Sequence, residues 1–253
     1  MQFASDLKVG IVGGSIAGCS AAIELSQCGC QVTLFERSGE ELKDRGAGIG
    51  VPPSVIESFK TRGLIDASVP YFRAGAFVRR WRTDHEPRFG VLAWEQPTPM
   101  VLLNWSALYR SLRAQVPAGV YRTAQRVTAF KSLDEVRVAL ELAGGARHEF
   151  DLAIFADGYA SLGRQILYPE ITLPYAGYVL WRGSLRESRL SDSRPLENGI
   201  HALGYPGGHG IFYFVPGLTG EIDRGKRIVN WGLYTPVPNA EIGSFLTDRA
   251  GRA

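Results

Sequence analysis

The sequence predicts an α/β fold: a Rossmann-like strand–turn–helix–strand unit at the start, then a domain built mainly from antiparallel strands. Three observations carry this. Lys8 to Gly18 passes from an apolar strand into a glycine turn that opens a helix. Helical periodicity and a second apolar strand follow at once, ending in Glu36. From Tyr175 onward the helical periodicity fades, and aromatics and glycines dominate.

The first strand is Val9, Ile11 and Val12, and the turn after it is Gly13-Gly14-Ser15-Ile16-Ala17-Gly18. Such a turn forms a pyrophosphate site, because a helix start presents unpaired N–H groups and the positive end of its dipole. Gly13 permits the tight turn and Gly18 lets the helix lie close to the sheet. The middle position, where a second glycine is usual, is Ser15, whose hydroxyl is a further donor. Ile16, Ala17, Ala21, Ala22 and Leu25 recur at helical spacing, and Gly29 sits where a C-terminal cap belongs. The second strand, Val32 to Phe35, delivers Glu36 at about the 20-residue distance expected of an acidic residue that binds a ribose hydroxyl.

Composition bounds the rest. The chain has 253 residues, 45% of them hydrophobic and 21% charged, enough for one large or two modest globular domains. The net charge of +3 is mild and no basic run occurs, which argues against nucleic-acid binding. Arg79, Arg80 and Arg82 flank Trp81 in a pattern that suits an exposed strand face. No apolar stretch approaches membrane-spanning length, and the N-terminus lacks a signal-peptide core. The three cysteines, Cys19, Cys28 and Cys30, lack metal-ligand spacing and read as buried structural thiols in a reducing, cytoplasmic setting. No metal site is expected.

A polar loop runs from Arg37 to Gly50, with Arg45 in its glycine-rich part a candidate for phosphate or ribose contact. Pro53 to Gly63 reads as a short helix. Phe77 to Trp81 and Phe89 to Leu92 read as a hairpin around Asp84-His85-Glu86-Pro87. Trp105 to Val116 is helical, with Leu108, Leu112 and Val116 on one face. Strands at Val127 to Phe130 and Val136 to Leu142 lead to a Gly144-Gly145 turn. A buried strand, Leu152 to Phe155, then delivers Asp157-Gly158 to its C-terminal end, where ligands sit in open α/β sheets. Ser161 and Arg164 open the next helix. Four strands complete the chain: Tyr178 to Leu185, Ile200 to Tyr205, Gly210 to Pro216 and Ile228 to Tyr234. A sheet walled with aromatics suits a planar organic ligand.

With both glycine motifs in view, the chain resembles the single-component flavoprotein aromatic hydroxylases, the group A FAD monooxygenases, and within them the branch of 2,6-dihydroxypyridine 3-monooxygenase. Gly13-Gly14-Ser15-Ile16-Ala17-Gly18, Tyr178-Val179-Leu180-Trp181-Arg182-Gly183 and Val229-Asn230-Trp231 carry that likeness. The resemblance implies an FAD-binding domain of the GR2 or p-hydroxybenzoate hydroxylase type over 1–170. A hairpin at 75–95 joins the sheet of a substrate-binding domain, of which 171–253 is part. It implies FAD contacts from Gly13, Gly14, Ser15, Ile16, Ala17, Glu36, Arg37, Arg45, Asp157 and Gly158. It further implies NAD(P)H as co-substrate, molecular oxygen, a small aromatic or heteroaromatic substrate, and hydroxylation through a C4a-hydroperoxyflavin. A homodimer is the candidate assembly, with no membrane or nucleic-acid partner. Tyr213, His209 and Tyr178 are possible partners of a substrate hydroxyl, but no catalytic residue is assigned.

Two departures stand out. Trp105 occupies the helix start where many members place an arginine. The family's third motif, Gly-Asp followed by small residues and His, is absent, so an N-terminal portion of a longer enzyme or a truncated gene product is expected. Two alternatives stay open: a non-catalytic flavin-fold remnant or nucleotide-binding module, and an NAD-dependent dehydrogenase.

Overall fold

The computed structural model describes residues 6–40, 42, 48–83, 85, 89–248 and 250–252. In chain order the elements begin with β1 (Lys8–Val12), α1 (Ile16–Gln27), β2 (Gln31–Phe35), β3 (Gly48–Val51), α2 (Pro53–Thr61), β4 (Phe72–Trp81), β5 (Val91–Asn104) and α3 (Trp105–Gln115). Then come β6 (Tyr121–Arg122), β7 (Val127–Ser132), β8 (Val138–Leu142), β9 (Arg147–Phe150), β10 (Leu152–Phe155) and α4 (Leu162–Leu167). The last are β11 (Tyr178–Arg186), β12 (Gly199–Tyr205), β13 (Gly208–Val215), β14 (Ile228–Pro236) and α5 (Ile242–Phe245). They fall into two compact units. The first holds the described residues of 1–46, 57–69 and 106–172, the second those of 47–56, 70–105 and 173–253.

The first unit is a parallel four-stranded sheet, order β10-β1-β2-β6, with an antiparallel three-stranded sheet, β7-β8-β9. Val9, Ile11 and Leu34 are fully buried, as central parallel strands require. The two sheets share a core of Val12, Phe35, Val127, Leu140, Leu142 and Phe150. A Cβ at Gly10 would lie 2.8 Å from both Leu140 and Phe150, so glycine there lets them close onto β1.

Helix α1 buries Gly18, Cys19, Ala22 and Ile23. This corrects the predicted stripe: Ala17 is exposed, and Ile16, Ala21 and Leu25 are only half-buried. Gly18 must face the turn, and its helical neighbours at one, four and five residues follow it inward. The helix ends as expected at Gly29, φ +86°. There the Cys30 N–H bonds to Leu25 O and the Gly29 N–H to Ser26 O, the paired bonds of a Schellman cap. Because that cap lies at the surface, the expectation for the cysteines holds only in part: Cys19 is buried, Cys30 is intermediate and Cys28 is exposed.

The second unit is one seven-stranded sheet, order β11-β14-β13-β12-β4-β5-β3. All its pairings are antiparallel except β12 with β4, which runs parallel from Gly199↔Ala76 to Gly204↔Trp81. The expected hairpin is present with longer arms, and Arg80 pairs with Leu92 and Trp81 with Val91. Its core gathers Ala74, Leu102, Ile200, Tyr213, Val215 and Ile228. Behind them Arg227 and Glu187 form a buried ion pair, 2.6 Å apart, with Glu197 also 2.6 Å from Arg227. Among the described residues, no helix is long and apolar enough to cross a membrane.

Candidate functional site

The site is built where β1, β2 and β10 of the first unit deliver their C-terminal ends. Gly13 leaves β1 with φ +101°, and its N–H donates to Phe35 O, at the end of β2, over 2.8 Å. A Cβ on Gly13 would lie 2.6 Å from Ala156 O and 2.8 Å from Asp157 Cα, just past β10. The turn is therefore wedged between the chain following β2 and the chain following β10. On Gly18 a Cβ would meet Gly13 O at 1.8 Å, so the first helical turn sits directly on the loop. Both glycines are fixed by close backbone approach, the reason their spacing carries information.

Glu36 is buried and reaches back to this loop. Its Oε2 accepts from the Gly14 N–H at 2.8 Å and its Oε1 from the Ser38 N–H at 2.8 Å. The sequence brought glycine turn and acidic residue together only by spacing; the structure joins them by a charge-assisted hydrogen bond. Each carboxylate oxygen keeps a further lone pair. Ser15 is the N-cap of α1, yet its side chain makes no capping bond, which leaves its hydroxyl to another partner. The N–H groups of the first turn, Ile16 and Ala17 included, have no acceptor within the helix. Arg37 is exposed beside Glu36. Arg45 lies outside the described residues.

Asp157 caps the short 3₁₀ turn Gly158–Ala160, and its Oδ2 accepts from the Leu162 N–H at 2.7 Å. Its Oδ1 is buried with no hydrogen-bond partner among the described residues. Gly158 is left-handed, φ +81°, and a Cβ there would meet nothing within 4 Å. Ser161 caps α4 by accepting from the Arg164 N–H at 3.3 Å.

Sequence reasoning missed a layer of side chains on the inner side of the loop. Tyr121, on the two-residue strand β6, donates its hydroxyl proton to Gly14 O at 3.0 Å. Tyr109 lies 3.3 Å from that hydroxyl, and the Arg113 guanidinium stacks 3.9 Å above the Tyr121 ring. The Cys19 thiol also donates to Gly14 O, at 3.4 Å. Burial, the largest cause, pushes Cys19 up to about 12 and raises Tyr121 as well, so both remain protonated donors near neutral pH. The one available signal was the short Val120-Tyr121 pair after Gly119, too brief for any periodicity.

In the second unit the three sequence candidates do not form one cluster. His209 stacks on Tyr234 with ring centres 4.5 Å apart, and Tyr178 meets the Tyr234 ring edge-on at 5.2 Å. Tyr213 is buried further along β13, two residues past Ile211, and burial raises its pKa. Beside it Asn230 Oδ1 accepts from the Gly48 N–H at 2.7 Å.

The fold and the loop define a class: an α/β protein with a dinucleotide-type turn at the C-terminal ends of parallel strands. The chain belongs to the FAD binding domain family, whose model matches residues 6–191. Residues 175–253 match a second model, described as FAD binding domain-like. A 2,6-dihydroxypyridine 3-monooxygenase of Paenarthrobacter nicotinovorans is 30% identical over 73% of this chain and 45% of its own length. The 3-amino-4-hydroxybenzoate 2-monooxygenase PtnB3 of Streptomyces platensis is 30% identical over 81% of this chain and 52% of its own. The solved structure of 2,6-dihydroxypyridine-3-hydroxylase from Arthrobacter nicotinovorans matches with a TM-score of 0.83 at 25% identity, covering 98% of this chain and 61% of that one. The chain thus spans about half the length of the curated relatives that it matches. The family match removes the NAD-dependent dehydrogenase reading.

Proposed function

We propose that this chain supplies the FAD cradle and part of the ring-binding sheet of an NAD(P)H-dependent monooxygenase that hydroxylates an electron-rich aromatic or heteroaromatic ring. The observation that carries this reading is the Gly13–Gly18 turn, tied to Glu36 through the Gly14 N–H. Its residues fit FAD. The uncapped Ser15 hydroxyl is available, and the buried Asp157 Oδ1 lacks a donor.

In this reading Gly13, Gly14, Ser15, Ile16 and Ala17 hold the diphosphate, with the α1 dipole supplying positive potential. Glu36 accepts from a ribose hydroxyl with its remaining lone pairs, while Arg37 and Arg45 bring compensating charge. Asp157, with Gly158 beside it, accepts from a hydroxyl of the flavin side chain through Oδ1. FAD supplies the redox and oxygen chemistry, which no side chain offers. The sheet of β11, β14 and β13 presents a cluster of aromatic rings, His209 stacked on Tyr234 and Tyr178 edge-on to it, a surface that suits an aromatic ring. The nature of that ring is inferred from the relatives, whose names specify hydroxypyridine and aminohydroxybenzoate substrates.

The test is a flavin titration of the purified chain, followed by NAD(P)H oxidation with hydroxypyridines or hydroxybenzoates. Flavin uptake with ring-stimulated NAD(P)H consumption is the expected result. A folded, colourless protein that cannot be reconstituted with FAD overturns it in favour of a non-catalytic remnant of the fold. Replacing Glu36 by alanine is expected to weaken FAD binding by about 1–3 kcal/mol, the cost of losing a charge-assisted bond and leaving N–H groups unpaired. Isothermal titration that shows no loss would remove Glu36 from the site.

A further inference from the structure

We propose that Tyr121 is a positioning residue for the glycine loop: its hydroxyl aims the loop's N–H donors at the diphosphate. The inference rests on the reading of that loop as the diphosphate site.

The Gly14 residue is held at both ends. Its N–H donates to Glu36 Oε2 at 2.8 Å, and its carbonyl accepts from the Tyr121 hydroxyl at 3.0 Å and the Cys19 thiol at 3.4 Å. In a trans peptide the C=O and the following N–H point to opposite sides of the chain. A Gly14 carbonyl turned inward to Tyr121 and Cys19 therefore turns the Ser15 N–H the other way. Ser15 is the N-cap of α1, so its N–H is the first of the unpaired donors at the helix start.

Glycine at position 14 has little intrinsic preference among backbone conformations. The clamp supplies what the residue lacks. Without the Tyr121 hydroxyl, only the thiol, a weak donor, keeps the carbonyl inward. Tyr121 is itself braced by the Tyr109 hydroxyl at 3.3 Å and by Arg113 over its ring at 3.9 Å. Tyr109 is fully buried, which gives the brace a fixed origin. The contact is tight: a Cβ on Gly14 would lie 2.2 Å from the Tyr121 hydroxyl oxygen.

The experiment compares ADP with adenosine, which share the nucleoside and differ only in the diphosphate. Both are titrated, alongside FAD, into the wild-type chain and into Tyr121→Phe, which keeps the ring and its stacking on Arg113. The expected result is an ADP affinity lower by about tenfold, the size of one well-made hydrogen bond, with adenosine affinity unchanged. Unchanged ADP affinity overturns the proposal, and so does an equal loss for both ligands, which marks a merely structural role. If Tyr121→Phe does not fold, Tyr109→Phe gives the same ADP-selective loss at about threefold, and an unselective effect there overturns the proposal. A wild-type chain that binds neither FAD nor ADP overturns the diphosphate reading, and this inference with it.

Discussion

A Gly13→Val chain is expected to lose FAD binding altogether, with no saturable quenching of flavin fluorescence at concentrations that saturate the wild type. Two costs combine. At φ +101° a β-branched side chain is a genuine outlier. Its Cβ would also lie 2.6 Å from Ala156 O, 2.7 Å from Ala156 C and 2.8 Å from Asp157 Cα, all main chain that cannot rotate away. The loop must then part from the end of β10, separating the Gly13 and Asp157 halves of the site. Gly145→Ala separates the two costs. Gly145 has φ +82° and open space around it in the β8–β9 turn. That variant bears only the left-handed backbone cost, about 1–3 kcal/mol, and should keep its FAD affinity. Unaltered affinity in Gly13→Val would end the case for this loop.

Arg227→Leu is expected to destabilise the second unit by about 3–5 kcal/mol, read as a shift in the urea midpoint of tryptophan fluorescence. Arg227 and Glu187 are both buried, and the guanidinium stacks 3.9 Å over the Phe214 ring while also reaching Glu197. Leucine replaces the stem but leaves the Glu187 carboxylate buried with its main counter-charge gone. Burial raises the Glu187 pKa, but bonds from Arg227, Ser193 and the Gly225 N–H outweigh that and hold it at about 2, against an ordinary 4.5. A depressed folded pKa contributes stability that is full above 4.5 and lost as pH falls toward 2. The wild type should therefore weaken across that window, and Arg227→Leu should weaken much less steeply there. A double variant, Arg227→Leu with Glu187→Leu, is expected to recover much of the loss. A midpoint unchanged by the single replacement would show that the ion pair is dispensable.

What could be read in advance follows from how strongly each element repeats a pattern. Val9, Ile11 and Val12 announce a parallel strand because both faces are buried, and Gly13 announces the turn because only glycine fits there. Glu36 was legible by distance alone. Its bond to Gly14 was not, since spacing says nothing about which way a carboxylate turns. Strand β3 was hidden in a loop because alternate glycines, Gly48 and Gly50, give no apolar rhythm. Strand β9 was hidden because of Arg147, His148, Glu149 and Phe150 only Phe150 is buried. Tyr121 was illegible for a different reason. Its role depends on β6 pairing with β2, Leu34 beside Tyr121, a contact between distant segments that no local window contains. The same holds for the parallel pairing of β12 with β4.

That pairing dictates an order of assembly. β4 and β5 are made together, and β3 precedes them, so three strands can associate early. The other border of β4, Ala76 to Trp81, waits for Gly199 to Gly204. All of Ser106–Thr172 must leave the ribosome in the interval. Closing such a distant contact slows folding, and an unpaired strand border is a template for association with another chain. The nascent polypeptide is thus most exposed to aggregation from the completion of β5 until β12 arrives, which makes that interval the one in which chaperones and low growth temperatures should most improve its yield.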